Sequence, residues 1–150
     1  MKRVLEIVPN VGVGPVRLGA SREQVHSLLG PPSEEIRDRR EMFFDGLFVD
    51  YDERGGVEFI EMSRSEVFSA EFDGVCLHDL AAESALAVVM RHAAVAAENP
   101  ELGYSYIFPS LQLSLWRGTQ PSVDQAVDDS EGRFFEAVGI GVPGYFSSTS

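Results

Sequence analysis

Cys76 and His78 lie two residues apart in a stretch with strand spacing, which predicts a thiol and an imidazole on one side of the chain. Such a pair is the start of an activated nucleophile or half of a metal site. No second Cys/His pair at ligand spacing completes it, and a lone free cysteine is ordinarily a small buried hydrophobe. His26 and His92 have no histidine or glutamate four residues on that would build a metal-binding helix face, so both read as surface histidines. Asp50 to Gly56 opens like a calcium loop, but Arg54 stands at the fifth position and the later acid is misplaced, which predicts a hairpin instead. Asp128-Asp129-Ser130-Glu131 reads as a solvated acidic run, and Gly12-x-Gly14 is followed by Pro15 rather than a helix, so it cradles no phosphate. Gly-x-Ser-x-Gly, His-Glu-x-x-His and Walker patterns do not occur. The sequence therefore predicts no catalytic residue, no metal ligand and no cofactor.

Binding to another protein is the better-supported expectation. Phe48, Asp50 and Asp52 alternate on one side of one predicted strand, and Gln112, Ser114 and Trp116 do so on another. Aromatic groups ringed by acids make a partner-binding patch, since aromatic side chains dominate interface energetics and carboxylates steer a basic partner. A second layer or another copy of the chain is the alternative cover. The rival functions are a hydrolase-like enzyme with a pocket between two halves of the chain, using Cys76, His78 and acids of residues 118–132, and a small-molecule-binding domain with Phe43, Phe59 and Phe135 lining a dry pocket.

Those residues need a scaffold. The chain of 150 residues, 44% hydrophobic, is the size of one domain with one core. Its formal charge of -12 repels phosphate backbones and anionic headgroups, which excludes nucleic acid and membrane surfaces as expected partners. A single cysteine asks for no oxidising compartment, and the opening residues meet Glu6 and Pro9 before any signal-length apolar run, so a cytoplasmic location is expected.

A helix start and stop are both written between Ser21 and Pro32. Ser21 and Gln24 form a capping box, Val25, Leu28 and Leu29 make one apolar stripe, and Gly30 with Pro31-Pro32 ends the helix. Residues 3–8 read as a covered strand, and the charged run Ser33 to Glu41 as a solvated loop or short polar turn. Leu47, Val49 and Tyr51 alternate inward, Glu53-Arg54-Gly55-Gly56 turns the chain, and the phase change along Val57 to Met62 predicts a bulge near Phe59 or a strand covered on both faces. Phe68 to Leu77 reads as a strand pair about Asp73-Gly74. A long alanine-rich helix over residues 79–98, capped by Asp79, follows. Leu111, Leu113 and Leu115 mark a half-exposed strand, 118–132 an acidic loop, and Phe134 to Val142 a last strand whose glycines admit close backbone approach. Residues 147–150 read as a frayed tail.

The same order of elements occurs twice, at about 1–66 and 67–146, which predicts an α+β domain of two tandem helix-on-antiparallel-sheet units. The string Arg17 to Pro32 resembles the glycine, hydroxyl-capped helix, valine, leucine-glycine-x-proline signature of the SmpA/OmlA outer-membrane assembly lipoproteins and the related β-lactamase inhibitor protein superfamily. That resemblance implies a helix packed on an antiparallel sheet, carried twice in tandem by the inhibitors, and a non-catalytic immunity- or inhibitor-type module presenting a sheet surface. The lipoproteins and inhibitors are exported, whereas no signal peptide or early lipid-bearing cysteine is read in this chain, so their location and partners are not implied for it.

Overall fold

The computed structural model describes residues 2–37 and 39–146, so the predicted tail at 147–150 lies outside the described residues. Strands β1 (Arg3–Val8), β2 (Gly12–Val13) and β3 (Val16–Arg17) lead into helix α1 (Arg22–Leu29). Then come β4 (Glu34–Arg37), β5 (Arg40–Phe43), β6 (Leu47–Tyr51) and β7 (Val57–Ser63). The second half holds β8 (Phe68–Phe72), β9 (Val75–Cys76), a short 3-10 turn at Leu77–Asp79, helix α2 (Ala82–Met90), β10 (Ser105–Phe108), β11 (Leu113–Trp116) and β12 (Ala137–Gly141). The result is a mixed α/β domain of two sheets and two helices.

The small sheet runs β3-β2-β1-β8-β9 and the large one β10-β11-β12-β7-β6-β5-β4. Both cross between the halves of the chain: β1 pairs parallel with β8, and β7 pairs antiparallel with β12. One apolar cluster unites Leu5 and Phe68 of the small sheet, Leu47, Ile60, Leu113 and Val138 of the large one, and Val25 and Val89 of the helices. Because alternate residues of a strand face opposite ways, the side chains on the other face of the large sheet point away from that core.

Helix α1 forms as its sequence dictates. The Ser21 Oγ accepts from the Gln24 amide at 3.1 Å while the Gln24 side chain accepts from the Ser21 amide at 2.9 Å, and Gly30 takes φ 85° at the end. The stripe is narrower than predicted: Val25 is fully buried and Leu29 packs on the core, but Leu28 is 50% exposed.

Two predicted elements are corrected. The charged run Ser33 to Glu41 is not a loop; it makes β4 and opens β5, a hairpin at the sheet edge whose exposed Glu34, Glu35 and Arg37 guard the unpaired strand. The long helix of 79–98 is only Ala82–Met90, and its N-cap is Ala81 rather than Asp79, which sits in the 3-10 turn. Alanine's helix preference is a weak term, and here pairing overrides it at both ends. Ala81 bridges to Phe134, the Ala82 amide donates to the Arg133 carbonyl at 2.8 Å, and the Ala96 amide leaves helical register to donate to the Ile107 carbonyl of β10 at 2.8 Å.

Candidate functional site

The open face of the large sheet is assembled by register. Ser114 pairs with Gly139, Gly139 with Glu61, Glu61 with Phe48 and Phe48 with Met42, which makes one row across five strands. One step along, Gly141 pairs with Phe59, Phe59 with Asp50 and Asp50 with Arg40; one step back, Trp116 pairs with Ala137 and Ala137 with Ser63. Phe59 shares this face with Glu61 and Ser63 by alternation, while a bulge that leaves Glu58 unmatched turns Val57 to the core side: Tyr51 pairs with Val57 but Asp50 with Phe59. The bulge predicted near Phe59 is therefore present.

Four of the six predicted patch residues share this face. Phe48 and Asp50 on β6 and Ser114 and Trp116 on β11 lie on the same side, about 14 Å apart at three strand spacings. Trp116 is 43% exposed. The other two are placed elsewhere. Asp52 lies beyond β6 in the hairpin, where its Oδ1 accepts from the amides of Arg54 and Gly56 at 2.9 Å each. The Gly56 amide foremost, and then that of Arg54, hold its carboxyl below the ordinary carboxylate range. Gln112 is buried with φ 50°; its Nε2 donates to the Pro109 carbonyl at 2.8 Å and its Oε1 accepts from the Phe146 amide at 2.7 Å.

Charges of both signs meet on the face, Arg37, Arg39 and Arg40 beside Asp50, Glu58 and Glu61. The Arg40 guanidinium lies over the Phe48 ring at 4.5 Å, contacts Glu61 and stands 3.4 Å from Asp50 Oδ1. One cation thus serves two carboxylates, and Glu58 adds a third beside them. Burial pushes the Asp50 carboxyl up despite the opposing attraction of Arg40 and Arg37.

The aromatic part of the face was missed from sequence. Val142 to Phe146 folds back over the sheet, so that Tyr145 stacks on Phe59 with ring centroids 4.6 Å apart at 8°, and Phe146 meets both rings edge-on. Also missed is Glu41, which is 0% exposed behind the sheet and accepts from Arg22 Nη1, the Tyr51 hydroxyl and His26 Nε2, each at 2.9 Å. Glu41 and Phe43 turn inward and alternate with Arg40 and Met42, a pattern that the residue types Arg-Glu-Met-Phe do not announce.

Other candidate chemistry is not brought together. β9 ends at Cys76, and His78 turns into the core, where its ring Nε2 bonds the Met62 carbonyl at 3.0 Å. Cys76 and His78 therefore do not share one strand face as predicted. His26 engages Glu41 and packs on Phe43, while His92 contacts Asp73 at 3.2 Å. Phe43 and Phe135 belong to the core but Phe59 to the opposite face of the sheet, so these three do not line one pocket. The acidic loop 118–132 is tied back on itself: Gln125 Nε2 donates to the carbonyls of Asp129 and Glu131, and Arg117 Nη1 holds the Gly132 carbonyl at 2.8 Å. Among the described residues no group of three His, Cys, Asp or Glu is placed to hold a metal, and no helix is long and apolar enough to cross a membrane. No family model, curated protein or solved structure matches the chain.

Proposed function

We propose that this chain is a non-catalytic binding module of the immunity or inhibitor type, and that it grips a basic protein through the open face of the large sheet. One observation carries the reading: Phe48, Asp50, Ser114 and Trp116 come from the two halves of the chain and meet on one face of one sheet, turned away from the core. Half-exposed Trp116 supplies an aromatic anchor, and the chain's formal charge of -12 supplies the steering charge.

The tandem plan belongs to the same proposal. In each half the residue before the helix bridges the approach to that half's last long strand, Ser21 to Gly56 ahead of β7 and Ala81 to Phe134 ahead of β12. Equivalent bridges at equivalent places support two related units sharing one surface.

The test is capture from the source cell's lysate at low and moderate salt with the intact chain and Trp116→Ser in parallel, followed by purification of whatever is captured and titration of the pure pair. The reading predicts a basic protein whose binding weakens with salt and falls at least tenfold with Trp116→Ser, the fall expected for an interface anchor. A partner bound equally by both forms would overturn it.

A further inference from the structure

One row of the large sheet ends in charge. Arg37 pairs with Arg40, Arg40 with Asp50 and Asp50 with Phe59, so these four side chains stand on one side of β4, β5, β6 and β7. Arg39 lies in the turn between β4 and β5, and Glu58 is the residue that the bulge leaves over. Together they border a cavity of about 530 Å³ lined by Arg37, Arg39, Asp50, Tyr51, Glu58 and Tyr145.

The charges in this cavity are not used up by one another. Among the described residues no hydrogen bond or ion pair engages the side chains of Arg37, Arg39 or Glu58, and Arg37 draws on Asp50 only from beyond ion-pair distance. Asp50 is only partly served: its Oδ1 makes no hydrogen bond among the described residues, and Arg40, 3.4 Å away, is shared with Glu61. Two guanidinium groups and two carboxylates thus face one small volume.

That arrangement selects the charge pattern of a ligand. An inorganic anion would gain Arg37 and Arg39 but stand beside Asp50 and Glu58, and a simple cation would meet the reverse. A molecule carrying both signs on neighbouring atoms gains from both pairs. The volume is that of a small-molecule pocket rather than of a groove for a folded segment. Tyr145, stacked on Phe59 and 37% exposed, adds an aromatic wall to it.

We propose that this cavity binds a free α-amino acid, its carboxylate held by Arg37 and Arg39, its ammonium group by Asp50 and Glu58, and an aromatic side chain laid along Tyr145. Tyr145 and Phe146 stay in place, since the ligand enters beside them. Trp116 is no part of the cavity, so the site stands or falls separately from the capture of a protein partner.

The probe is L-phenylalanine. Two compounds with the same ring separate its charges: phenethylamine keeps only the ammonium group, and hydrocinnamate only the carboxylate. Each is titrated into the intact full chain at pH 7 and low salt, and the amide shifts of Asp50, Glu58 and Tyr145 are followed by nuclear magnetic resonance. L-phenylalanine is expected to give saturable shifts and to bind at least fivefold more tightly than either relative. Glu58→Gln should weaken L-phenylalanine and phenethylamine about three- to fivefold, the size of one exposed ion pair, and leave hydrocinnamate bound at least as well. Arg37→Gln should do the opposite, weakening L-phenylalanine and hydrocinnamate but not phenethylamine. Both side chains lie outside the core, so the variants keep the fold. No saturable shift with millimolar L-phenylalanine, equal binding of the three compounds, or a loss in Glu58→Gln that is the same for all three overturns the proposal.

Discussion

The Tyr51 hydroxyl donates to Glu41 Oε1 at 2.9 Å, joining β6 to a carboxylate on β5 that solvent does not reach. Arg22 reinforces the pair from α1, its Nη1 at 2.9 Å from Glu41 Oε2 and its guanidinium 4.5 Å from the Tyr51 ring centre. Burial first, and then the hydrogen bond and negative charge of Glu41, push the Tyr51 hydroxyl far above the ordinary phenol range, so it stays a donor. Arg22 and His26 are one helical turn apart on α1 and both end on Glu41, which makes this carboxylate the bolt between helix and sheet.

Removing the bolt is expected to be costly. Glu41→Ala leaves the buried Tyr51 hydroxyl without its acceptor and the partly exposed Arg22 and His26 without theirs, and should destabilise the fold by about 1–3 kcal/mol, the usual cost of one unsatisfied buried polar group. Glu41→Gln keeps the shape and one acceptor and should lose less. Urea unfolding of both variants against the intact chain measures the order, and equal stability of Glu41→Ala and the intact chain would refute the role.

His78 gives the fold a dependence on pH. Its ring is 2% exposed, and burial, helped by the nearby Arg64 cation, lowers its pKa against the opposing pull of the Met62 carbonyl, Asp79 and Glu136. With the folded pKa depressed, the unfolded chain binds more protons once pH falls below about 6.5, so stability drops from there downward. His78→Gln should flatten that drop. The comparison is the difference in urea midpoint between pH 7.5 and pH 5.5 for the two chains, and parallel slopes would count against it.

Gly139 and Gly141, on the open face of β12, predict a selective effect on the turn at Pro143-Gly144. Gly141→Ala brings a methyl group against the base of the Tyr145 side chain rather than its tip, so the ring cannot simply swing aside. Tyr145 and Phe146 should leave Phe59, with a loss of about 1–3 kcal/mol typical of overpacking. Faster hydrogen exchange at the Phe146 amide, which now donates to Gln112 Oε1, would report the release. Unchanged protection there would mean that the turn tolerates the methyl.

How far the sequence carries this structure depends on how local the cause is. The capping box at Ser21 and Gln24, the turn at Gly55-Gly56 and the inward alternation of Leu47, Val49 and Tyr51 are decided within a few residues and were all readable. So was the phase slip at Phe59. The shortness of α2 was not, because the Arg133 carbonyl that takes the Ala82 amide where the helix begins, and the Ile107 carbonyl that takes the Ala96 amide beyond Met90, lie outside the alanine-rich run. Glu41 was hidden for the same reason: its partners come from α1 and β6, and a charged run looks solvated until the strand beneath it is recognised. Of the open sheet face, the alternation placed Phe48, Asp50, Ser114 and Trp116 on one side, while Asp52 and Gln112 were diverted by a turn and a positive φ that alternation does not encode.

Asp50 is the face residue whose charge works against the fold. It is largely buried, its Oδ1 makes no hydrogen bond among the described residues although Arg40 is 3.4 Å away, and Arg40 is shared with Glu61. Burial dominates and raises its pKa above the unfolded value, so the folded chain holds this proton more tightly and loses stability as pH climbs from about 3.8 through the raised pKa. The cost is complete once pH has passed the raised pKa. Asp50→Asn should therefore fold at least as stably as the intact chain at pH 7, with Arg40 kept in place by Glu61 and the Phe48 ring, and any advantage should shrink toward pH 4. The same substitution removes an acid from the open face and, on the function proposed above, should weaken capture of a basic partner. Gain of stability with loss of binding is the signature of a residue kept for recognition; a loss of more than about 1 kcal/mol at pH 7 would instead make the Arg40 pair a structural contact.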